Sequence, residues 1–403
     1  MPRFITAHAT HPDARMALAL AAAQIDAQRA VRVPFYAPTL GLVYITDHFA
    51  SQAEVLLADL RQRWPGVAWA GGVGVGVLAS GVEYHDEPAL VIMLAALPAG
   101  QFQVFSGRQP MDSRPTSQFR AHTALVHADP QTHDLSELIH ELADRTATGY
   151  LFGGLASSRS QALHLADGVF SGGLSGVAFG EDVHLISRVT QGSQPVGPTR
   201  HITACDNNVV LTLDDAPALS ALLTDLGVTL EHPQPALAAM RHTLVGLADG
   251  DVSALARGGQ FGNETRVRHL VGIDPGRNAV AVADRVQVGQ QLAFCRRDVQ
   301  AARRDLVRIC TEIREEVEAT ETELSDGGAA LASADGGPAR IAGAVYISCT
   351  GRGGAHFGGP SAEALIIQHA LGDVPLVGLF AAGEIARNQL YGYTGVLTVF
   401  TTD

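Results

Sequence analysis

The sequence contains no lysine: all 28 residues in its combined lysine and arginine count are arginine. A Schiff base with pyridoxal phosphate or a carbonyl substrate needs an ε-amino group, as do the phosphate-binding lysine of a P-loop and the strand lysine of a protein kinase. Attachment of a lipoyl or biotinyl group needs one too. These classes of chemistry are therefore excluded, and any anionic ligand must be held by arginine, a helix terminus or backbone amides.

Cysteine and long apolar runs are also scarce. The four cysteines, Cys205, Cys295, Cys310 and Cys349, form no C-x-x-C pair, which excludes a zinc knuckle or a dithiol redox motif. Scattered single cysteines are typical of a reducing compartment, so the sequence predicts a cytoplasmic protein. No apolar run approaches the length of a membrane span, and we expect no association with membranes.

The charge balance is acidic, because 41 acidic residues against 28 arginines give a net charge of −13. Such a charge opposes binding to nucleic acid and to anionic lipid, so neither is an expected partner. Hydrophobic residues make up 46% and charged residues 17% of the 403 positions, a composition typical of ordered globular domains. The length predicts two domains, each large enough to bury its own core.

Three segments repeat the same order of predicted elements: an apolar strand, a helix, a short glycine-containing strand and a final strand. They span residues 42–94, 124–179 and 344–400. Tyr44 precedes Gly71 by 27 positions, and Val126 precedes Gly153 by the same interval. The interval is longer in the third segment because a glycine-rich loop is inserted there. Repeated β-α-β-β units predict an α+β fold of mixed sheets flanked by helices, compatible with α/β/β/α layering.

A change in composition marks the predicted domain boundary. Residues 190–200 (TQGSQPVGPTR) place Gly and Pro between two strand patterns, so we expect one domain over residues 1–195 and a second over residues 196–403. Within the second domain, residues 280–282 and 291–294 are predicted to form a hairpin. Residues 298–319 have the periodicity of a long amphipathic helix, and residues 321–340 are typical of a mobile loop.

Several familiar enzyme signatures are weak or missing. Residues 74–79 (GVGVLA) match a loose GxGxxA pattern, but a turn rather than a helix is predicted to follow, so these glycines are assigned to strands and turns. The 16 histidines include no HExxH motif and no tight cluster with acidic residues. No Ser/His/Asp set or nucleophile elbow is recognisable.

The inserted loop of the third segment, residues 348–359 (SCTGRGGAHFGG), is the strongest candidate for chemistry. A buried strand is predicted to end at Cys349, and Gly351 and Gly353 allow backbone amides to face one point. Arg352 lies between them and can fork onto a carboxylate or phosphate. The helix expected to begin near Ser361 adds its N-terminal dipole. The loop therefore predicts an anion-binding pocket with a thiol at its edge, although a buried cysteine and a surface arginine are the alternative.

Glu384 follows the glycine-containing run of the same unit. In a βαβ arrangement this position lies near the Cys349 loop. Two roles fit it. Glu384 either pairs with Arg352 in a structural ion pair or binds the amine of a ligand whose carboxylate Arg352 holds.

These residues resemble the FIST family, whose N- and C-terminal domains occur as sensory input modules in bacterial signalling proteins. The resemblance covers most of the chain and is most distinctive at residues 349–353 (CTGRG) and 374–385 (VPLVGLFAAGEI). The Gly71-Gly72 turn and the apolar strands around it match more generally. The resemblance implies a small-ligand-binding sensory protein in signal transduction, with amino acids proposed as ligands and a downstream signalling protein as partner.

Three functional hypotheses follow from these residues and from the resemblance. The first is a cytoplasmic sensor that binds a small anionic or zwitterionic ligand through Cys349, Arg352 and Glu384. The second is a haem-dependent nitric oxide sensor, which the resemblance also implies and which needs an axial histidine. The third is an enzyme that uses Cys349 as nucleophile, with His356 as its base. The first implies no catalytic set and no metal.

Overall fold

The computed structural model describes residues 4–31, 37–98, 100–111, 119–249, 265–326 and 340–402. Packing divides the chain into two compact units. Unit 1 contains Met1–Thr190 and Leu306–Asp403, and unit 2 contains Gln191–Asp305. The domain limits expected from the sequence, 1–195 and 196–403, stay a prediction. Within the described residues, no helix is long and apolar enough to cross a membrane.

Helices and strands are numbered here in chain order. The helices are α1 (Ala14–Val31), α2 (Ala53–Arg63), α3 (Leu135–Ala143), α4 (Ala218–Leu226), α5 (Pro233–Arg241), α6 (Val299–Asp326) and α7 (Ala362–Leu371). The strands of the first half are β1 (Phe4–Thr10), β2 (Leu40–Thr46), β3 (Ala68–Gly74), β4 (Gly76–Ala79), β5 (Val82–His85), β6 (Ala89–Ala95), β7 (Phe102–Phe105), β8 (Thr123–Ala128), β9 (Leu151–Leu155), β10 (His164–Ala166), β11 (Val169–Phe170), β12 (Leu174–Phe179) and β13 (Leu185–Gln191). Those of the second half are β14 (Ser193–Pro195), β15 (Arg200–Asp206), β16 (Val209–Leu213), β17 (Ala216–Pro217), β18 (Thr243–Ala248), β19 (Arg266–Asp274), β20 (Ala279–Val282), β21 (Gln291–Arg297), β22 (Arg340–Cys349), β23 (Leu376–Ala381), β24 (Glu384–Arg387), β25 (Gln389–Tyr391) and β26 (Thr394–Thr402).

The α+β fold and its repeated units are confirmed. In each repeat the first strand (β2, β8 or β22) pairs in parallel with the second (β3, β9 or β23) and antiparallel with the last (β6, β12 or β26). Helices α2, α3 and α7 connect the two parallel strands, as a parallel pair requires. We call these the first, second and third repeats; all three belong to unit 1.

The glycine spacing seen in the sequence has a steric cause. Gly71 and Gly153 have φ values of +153° and +145°, and a Cβ atom on them would lie 1.7 and 1.9 Å from the carbonyl oxygens of Val43 and Val126. A Cβ atom on Gly378 would likewise lie 1.9 Å from the carbonyl oxygen of Tyr346. Each second strand therefore contains a position where only glycine allows pairing with the first strand.

A hairpin leaves the second strand of each repeat and joins the sheet of another repeat. The hairpin β4–β5 pairs with β23, the hairpin β10–β11 pairs with β3, and the hairpin β24–β25 pairs with β9. The three exchanges form a closed cycle. The hairpin of the first repeat joins the sheet of the third, that of the second joins the sheet of the first, and that of the third joins the sheet of the second. As a result the three six-stranded sheets share one strand order, β1-β6-β2-β3-β10-β11, β7-β12-β8-β9-β24-β25 and β13-β26-β22-β23-β4-β5.

Successive side chains of each first strand point to opposite faces of its sheet, so one set packs in an inner core and the other in an outer core. Tyr44 packs in a core that also contains Phe152 and Val345 from the other two sheets. Ile45, one residue later, packs on the other face of its sheet with Leu56 of α2. Each fully buried Leu or Ile of this kind contributes roughly 1.5–3 kcal/mol. Sheets therefore face one another inside unit 1, and helices cover their outer faces.

Unit 2 is built on a separate sheet with the order β14-β21-β15-β16-β20-β19-β18, and β17 pairs with β16. The predicted hairpin over residues 280–294 is wrong. Strand β20 pairs with β16 and β19, whereas β21 pairs with β14, β15 and β18. The eight residues between the two strands exceed the two- to five-residue loops that enforce a hairpin, so the long-range partners prevail. The predicted long helix is α6, which extends to Asp326. Residues 321–326 are therefore helical and not part of the expected loop over residues 321–340, and residues 327–339 lie outside the described residues.

Candidate functional site

The site predicted from the third repeat begins where β22 ends. Cys349 is the last residue of the strand and lies opposite Ala381 of β23. The amide of Thr350 donates to the carbonyl of Ala381 at 2.9 Å, and the amide of Arg352 then closes a turn onto the Cys349 carbonyl at 2.8 Å. This turn lies at the carboxyl end of the parallel pair, the edge at which ligands bind in open α/β sheets.

Arg352 is buried rather than exposed, with only 1% of its surface accessible. Its Nε donates to Glu363 Oε1 at 3.0 Å, and its guanidinium lies 5.1 Å from the centre of the Phe357 ring. Nη1 lies 3.5 Å from the carbonyl oxygen of Tyr393. The alternative that treated Arg352 as a surface residue is therefore wrong, and a buried charge of this kind has to be paired.

Glu363 provides that pairing from the first turn of α7. Besides Arg352, its carboxylate accepts hydrogen bonds from Tyr346 Oη at 2.5 Å and from Ser348 Oγ at 2.9 Å. Burial raises the pKa of Glu363, and the charge of Arg352 acts in the opposite direction. Tyr346 and Ser348 are two residues apart on β22, so they point to the same face of the sheet.

Glu384, the first residue of β24, is fully buried. Its Oε2 accepts from the amide and the hydroxyl of Thr394 at 3.0 and 2.7 Å. Burial raises the pKa of Glu384 to about 8, although the bonds from Thr394 and the charge of Arg352 oppose the shift. The ion pair between Arg352 and Glu384, one of the two roles considered, is not formed in the described part of the chain, because Arg352 pairs with Glu363.

Two polar atoms of the site have unused hydrogen-bonding capacity. Among the described residues, neither Arg352 Nη2 nor Glu384 Oε1 has a hydrogen-bond partner, and both atoms are buried. Leaving such a group buried without a partner costs roughly 1–3 kcal/mol, and more when the group is charged. One atom is a donor on a cation and the other belongs to a carboxyl group, so each can hydrogen-bond a complementary polar group.

The Cys349 thiol lies beside this pair, and 8% of the residue is accessible. Burial and then the charge of Glu384 raise the pKa of Cys349 to about 12, although the backbone N–H groups of Gly351 and Tyr393 hydrogen-bond its sulfur. At neutral pH the group is therefore a thiol. It hydrogen-bonds the carboxyl group of Glu384, whereas an attacking cysteine needs a lowered pKa.

Two glycines of the loop, Gly351 and Gly353, make close contacts within the protein. The amide of Gly351 points to the Cys349 sulfur. A Cβ atom on Gly353 would lie 2.4 Å from His85 and 2.5 Å from Phe380, so this position is glycine because the loop packs closely against those rings. The amide of Gly351 is thus used within the protein, and the expected convergence of loop amides on a ligand stays a prediction.

The N-terminus of α7 is also occupied by a protein group. Glu83, on the exchanged strand β5, accepts from the amide of Ala364 at 2.9 Å and lies 3.2 Å from His85 Nε2. Its own amide donates to Ser361 Oγ at 3.0 Å. The helix dipole therefore stabilises Glu83 rather than a ligand, which corrects the sequence-based expectation.

The structure adds residues that sequence reasoning missed. Glu363 and Glu83 were missed because acidic residues at a helix start and on a short hairpin strand are usually exposed to solvent. The polar residues at alternate positions of the otherwise apolar strand β22, Tyr346 and Ser348, are the one signal that could have indicated a buried polar partner. The contact of Glu384 with Thr394 depends on the exchanged hairpin and has no local signature.

The second repeat contains matching positions, which provide an internal comparison. Asp129 corresponds to Cys349, because each lies three residues after the residue that pairs with the glycine of the second strand. His164 corresponds to Glu384, because each pairs with the residue that follows such a glycine. Both are buried, but their polar atoms are bonded within the chain: Asp129 accepts from the amide of Gly172 at 2.8 Å, and His164 contacts Ser175 and Gly172. Of these two matched pairs, only that of the third repeat leaves a buried polar atom without a partner.

Comparison with known proteins agrees with this architecture. A family model described as the FIST N domain matches residues 39–216, and one described as the FIST C domain matches residues 218–387. The chain belongs to the FIST family. FIST domains are associated with sensory roles in signal transduction.

Two similar proteins match nearly the whole chain. An uncharacterized protein of Mycobacterium bovis is 31% identical over 408 residues, which cover 98% of this chain and 97% of that protein. An uncharacterized protein of Mycobacterium tuberculosis is 30% identical over 416 residues, which cover 97% of each chain. Both similarities extend over the two units and the candidate site.

Proposed function

We propose that this chain is a sensory protein that binds a small anionic or zwitterionic metabolite, such as an amino acid, at the site formed by Cys349, Arg352 and Glu384. One observation carries the proposal: Arg352 Nη2 and Glu384 Oε1 are buried, oppositely polar and without partners among the described residues. The carboxylate of the ligand would accept from Nη2, and its ammonium group would donate to Oε1.

The absence of lysine strengthens this assignment. A buried guanidinium is a suitable cation for a carboxylate, because it stays charged and retains free donors after one of them is used by Glu363. Glu363 fixes the guanidinium plane through Nε and leaves Nη2 free. In a buried environment each charged hydrogen bond to the ligand is stronger than it would be in water.

Ligand binding would be linked to proton release. With a pKa of about 8, Glu384 is mainly protonated at pH 7 in the empty site. An ammonium group favours the ionised form of the carboxyl group that it contacts. Binding of a zwitterion therefore expels the Glu384 proton, and its affinity should increase as the pH rises toward 8.

The loop offers a route from occupancy to signal. Arg352 bonds to Glu363 on α7, and the N-terminus of α7 is bonded to Glu83 on the exchanged hairpin. A ligand that engages Arg352 changes the balance of bonds on α7, and thereby biases the arrangement of α7 and the hairpin. A downstream signalling protein would respond to that change.

Titration calorimetry against a panel of amino acids and small carboxylates tests the proposal. Arg352→Lys keeps a cation beside Glu363 but lacks the forked donor, and Glu384→Gln keeps the shape of the side chain but removes its ionisation. We expect each change to weaken binding at least tenfold. The control is Arg159→Lys, because Arg159 is an exposed residue paired with Asp47. Equal affinities for the two site variants and the control would refute the assigned site.

No specific structural observation favours the two other hypotheses. The raised pKa of Cys349 is the opposite of the shift that activates a cysteine nucleophile. A haem-reconstituted sample with a Soret shift that one His→Ala variant abolishes would support the gas-sensor hypothesis instead.

A further inference from the structure

The second repeat contains a buried serine in contact with a histidine. Ser175 Oγ lies 2.6 Å from His164 Nδ1, and His164 Nε2 lies 3.1 Å from the carbonyl oxygen of Gly172. A carbonyl oxygen only accepts, so the proton of the neutral imidazole must be on Nε2. Nδ1 then has a lone pair, and the Ser175 hydroxyl donates to it. This is the arrangement of an activated hydroxyl nucleophile with a base that a third group orients.

The pair is buried, and His164 contacts the backbone of an exposed glycine. Ser175 is 0% and His164 1% accessible, whereas Gly172 is exposed. Gly172 and Gly173 have φ values of +71° and +70°, and a Cβ atom on either would meet no heavy atom within 4 Å. Because the carbonyl of exposed Gly172 contacts His164, we infer that these two glycines separate His164 from solvent. We call residues 172–173 the glycine cover.

Two side chains hold the glycine cover in place. Asp129 Oδ2 accepts from the amide of Gly172 at 2.8 Å, and Thr132 Oγ1 accepts from the amide of Gly173 at 2.8 Å. Both bonds join backbone amides to the loop after β8. Loss of one of them would loosen the cover without touching Ser175 or His164.

A second histidine next to the pair has unused hydrogen-bonding capacity. His127 lies directly opposite Ser175 in the antiparallel pairing of β8 and β12. It is fully buried, its Nε2 lies 3.1 Å from Tyr44 Oη, and its Nδ1 has no partner among the described residues. Such an orphaned polar atom beside a nucleophile and its base is what a site for a polar reacting group would contain.

We propose that Ser175 and His164 are a nucleophile and its general base for transfer of a small acyl group from an activated ester. Ser175 Oγ forms a bond to the acyl carbon as its proton passes to His164 Nδ1. The bond from the acyl carbon to the leaving oxygen then breaks, and the leaving alcohol takes the proton from His164. The products are the Ser175 ester and the free alcohol. The glycine cover must open first, which restricts the reaction to small acyl donors.

A small fluorophosphonate reagent applied to the full-length chain tests the proposal, with intact-mass and peptide analysis as readout. We expect one adduct, on Ser175, and none after Ser175→Ala. His164→Gln keeps hydrogen-bonding atoms but lacks a base, so labelling should slow at least about 100-fold. Thr132→Ala frees one amide of the glycine cover and should speed labelling several-fold. Arg15→Lys, at an exposed residue paired with Asp59, should leave the rate unchanged and is the control.

Three outcomes would overturn the proposal. The first is no adduct in either the parent chain or Thr132→Ala when circular dichroism shows that both are folded. The second is equal labelling of Ser175 in the His164→Gln variant, which would mean that the hydroxyl is accessible but not activated. The third is a label on Ser157, a buried serine whose hydroxyl donates to the carbonyl of Phe380 and which has no histidine partner among the described residues.

Discussion

At the scale of single residues, the third repeat contains more buried charge than stability alone favours. Arg352, Glu363 and Glu384 are each at most 1% accessible. One cation neutralises one carboxylate, so the second carboxyl group stays uncharged or is ionised at a cost. Apolar residues of similar size would avoid this free-energy cost, which is the physical argument for the ligand-binding role proposed for the cluster.

The raised pKa of Glu384 makes stability depend on pH in a defined direction. Its ordinary value is 4.5, and its value in the folded chain is about 8. Between these values the unfolded chain loses the proton while the folded chain keeps it, so the free energy of unfolding falls as the pH rises. Glu384→Gln removes this decrease in the free energy of unfolding, because glutamine does not ionise. We expect the variant to match the parent near pH 4.5 and to exceed its stability by an amount on the order of a few kcal/mol near pH 9.

Urea denaturation at both pH values measures this difference. Glu363→Gln is the control, because Glu363 has direct bonds to Arg352, Tyr346 and Ser348 and its replacement should destabilise the chain at every pH. A Glu384→Gln variant that is less stable than the parent near pH 9 would contradict the prediction. The same variant should bind ligand poorly, so a gain in stability would come with a loss of function.

At the scale of elements, the glycines of the second strands hold each parallel pair together. Gly153→Ala would place a Cβ atom 1.9 Å from the Val126 carbonyl at a φ of +145°. The strands β8 and β9 would have to separate, and we expect the loss of stability to exceed about 3 kcal/mol or to prevent folding. The measurement is the midpoint of urea denaturation.

Gly149→Ala is the matched control for this change. Gly149 lies four residues earlier in the same repeat, has a φ of +65° and has no heavy atom within 4 Å of an added Cβ. Only backbone strain opposes alanine there, so the cost should be about 1 kcal/mol. Equal effects at the two positions would show that close approach of the strands is not what requires Gly153.

The same elements show how far the sequence can be interpreted. The strand, helix and glycine of each repeat have local signatures, so the β-α-β-β units, Cys349 and Arg352 could be predicted from apolar periodicity and spacing. The hairpin exchange could not, because β4, β10 and β24 pair with strands that lie far away in the chain or in another repeat. The contact of Glu83 with α7 and the contact of Ser175 with His164 both depend on those long-range pairings. No pattern of neighbouring residues predicts them.

At the scale of the whole molecule, the closed cycle of hairpins makes the third repeat depend on the first half of the chain. Its sheet contains β4 and β5 from the first repeat and β13 from the end of the second. Without them β23 and β26 would each present an unpaired edge and apolar faces to water. The third repeat also supplies β24 and β25 to the sheet of the second repeat, so the dependence is mutual.

This mutual dependence predicts the outcome of dissecting the chain. A fragment of residues 306–403 should be unfolded alone and should fold when it is co-expressed with residues 1–190, because together they contain every strand of the three exchanged sheets. Co-purification and circular dichroism measure complementation. The competing expectation is a domain of residues 196–403 that folds by itself. A soluble, cooperatively unfolding 196–403 fragment with native strand content would contradict the hairpin cycle, because β22 and β23 would then be stable without β4, β5 and β13.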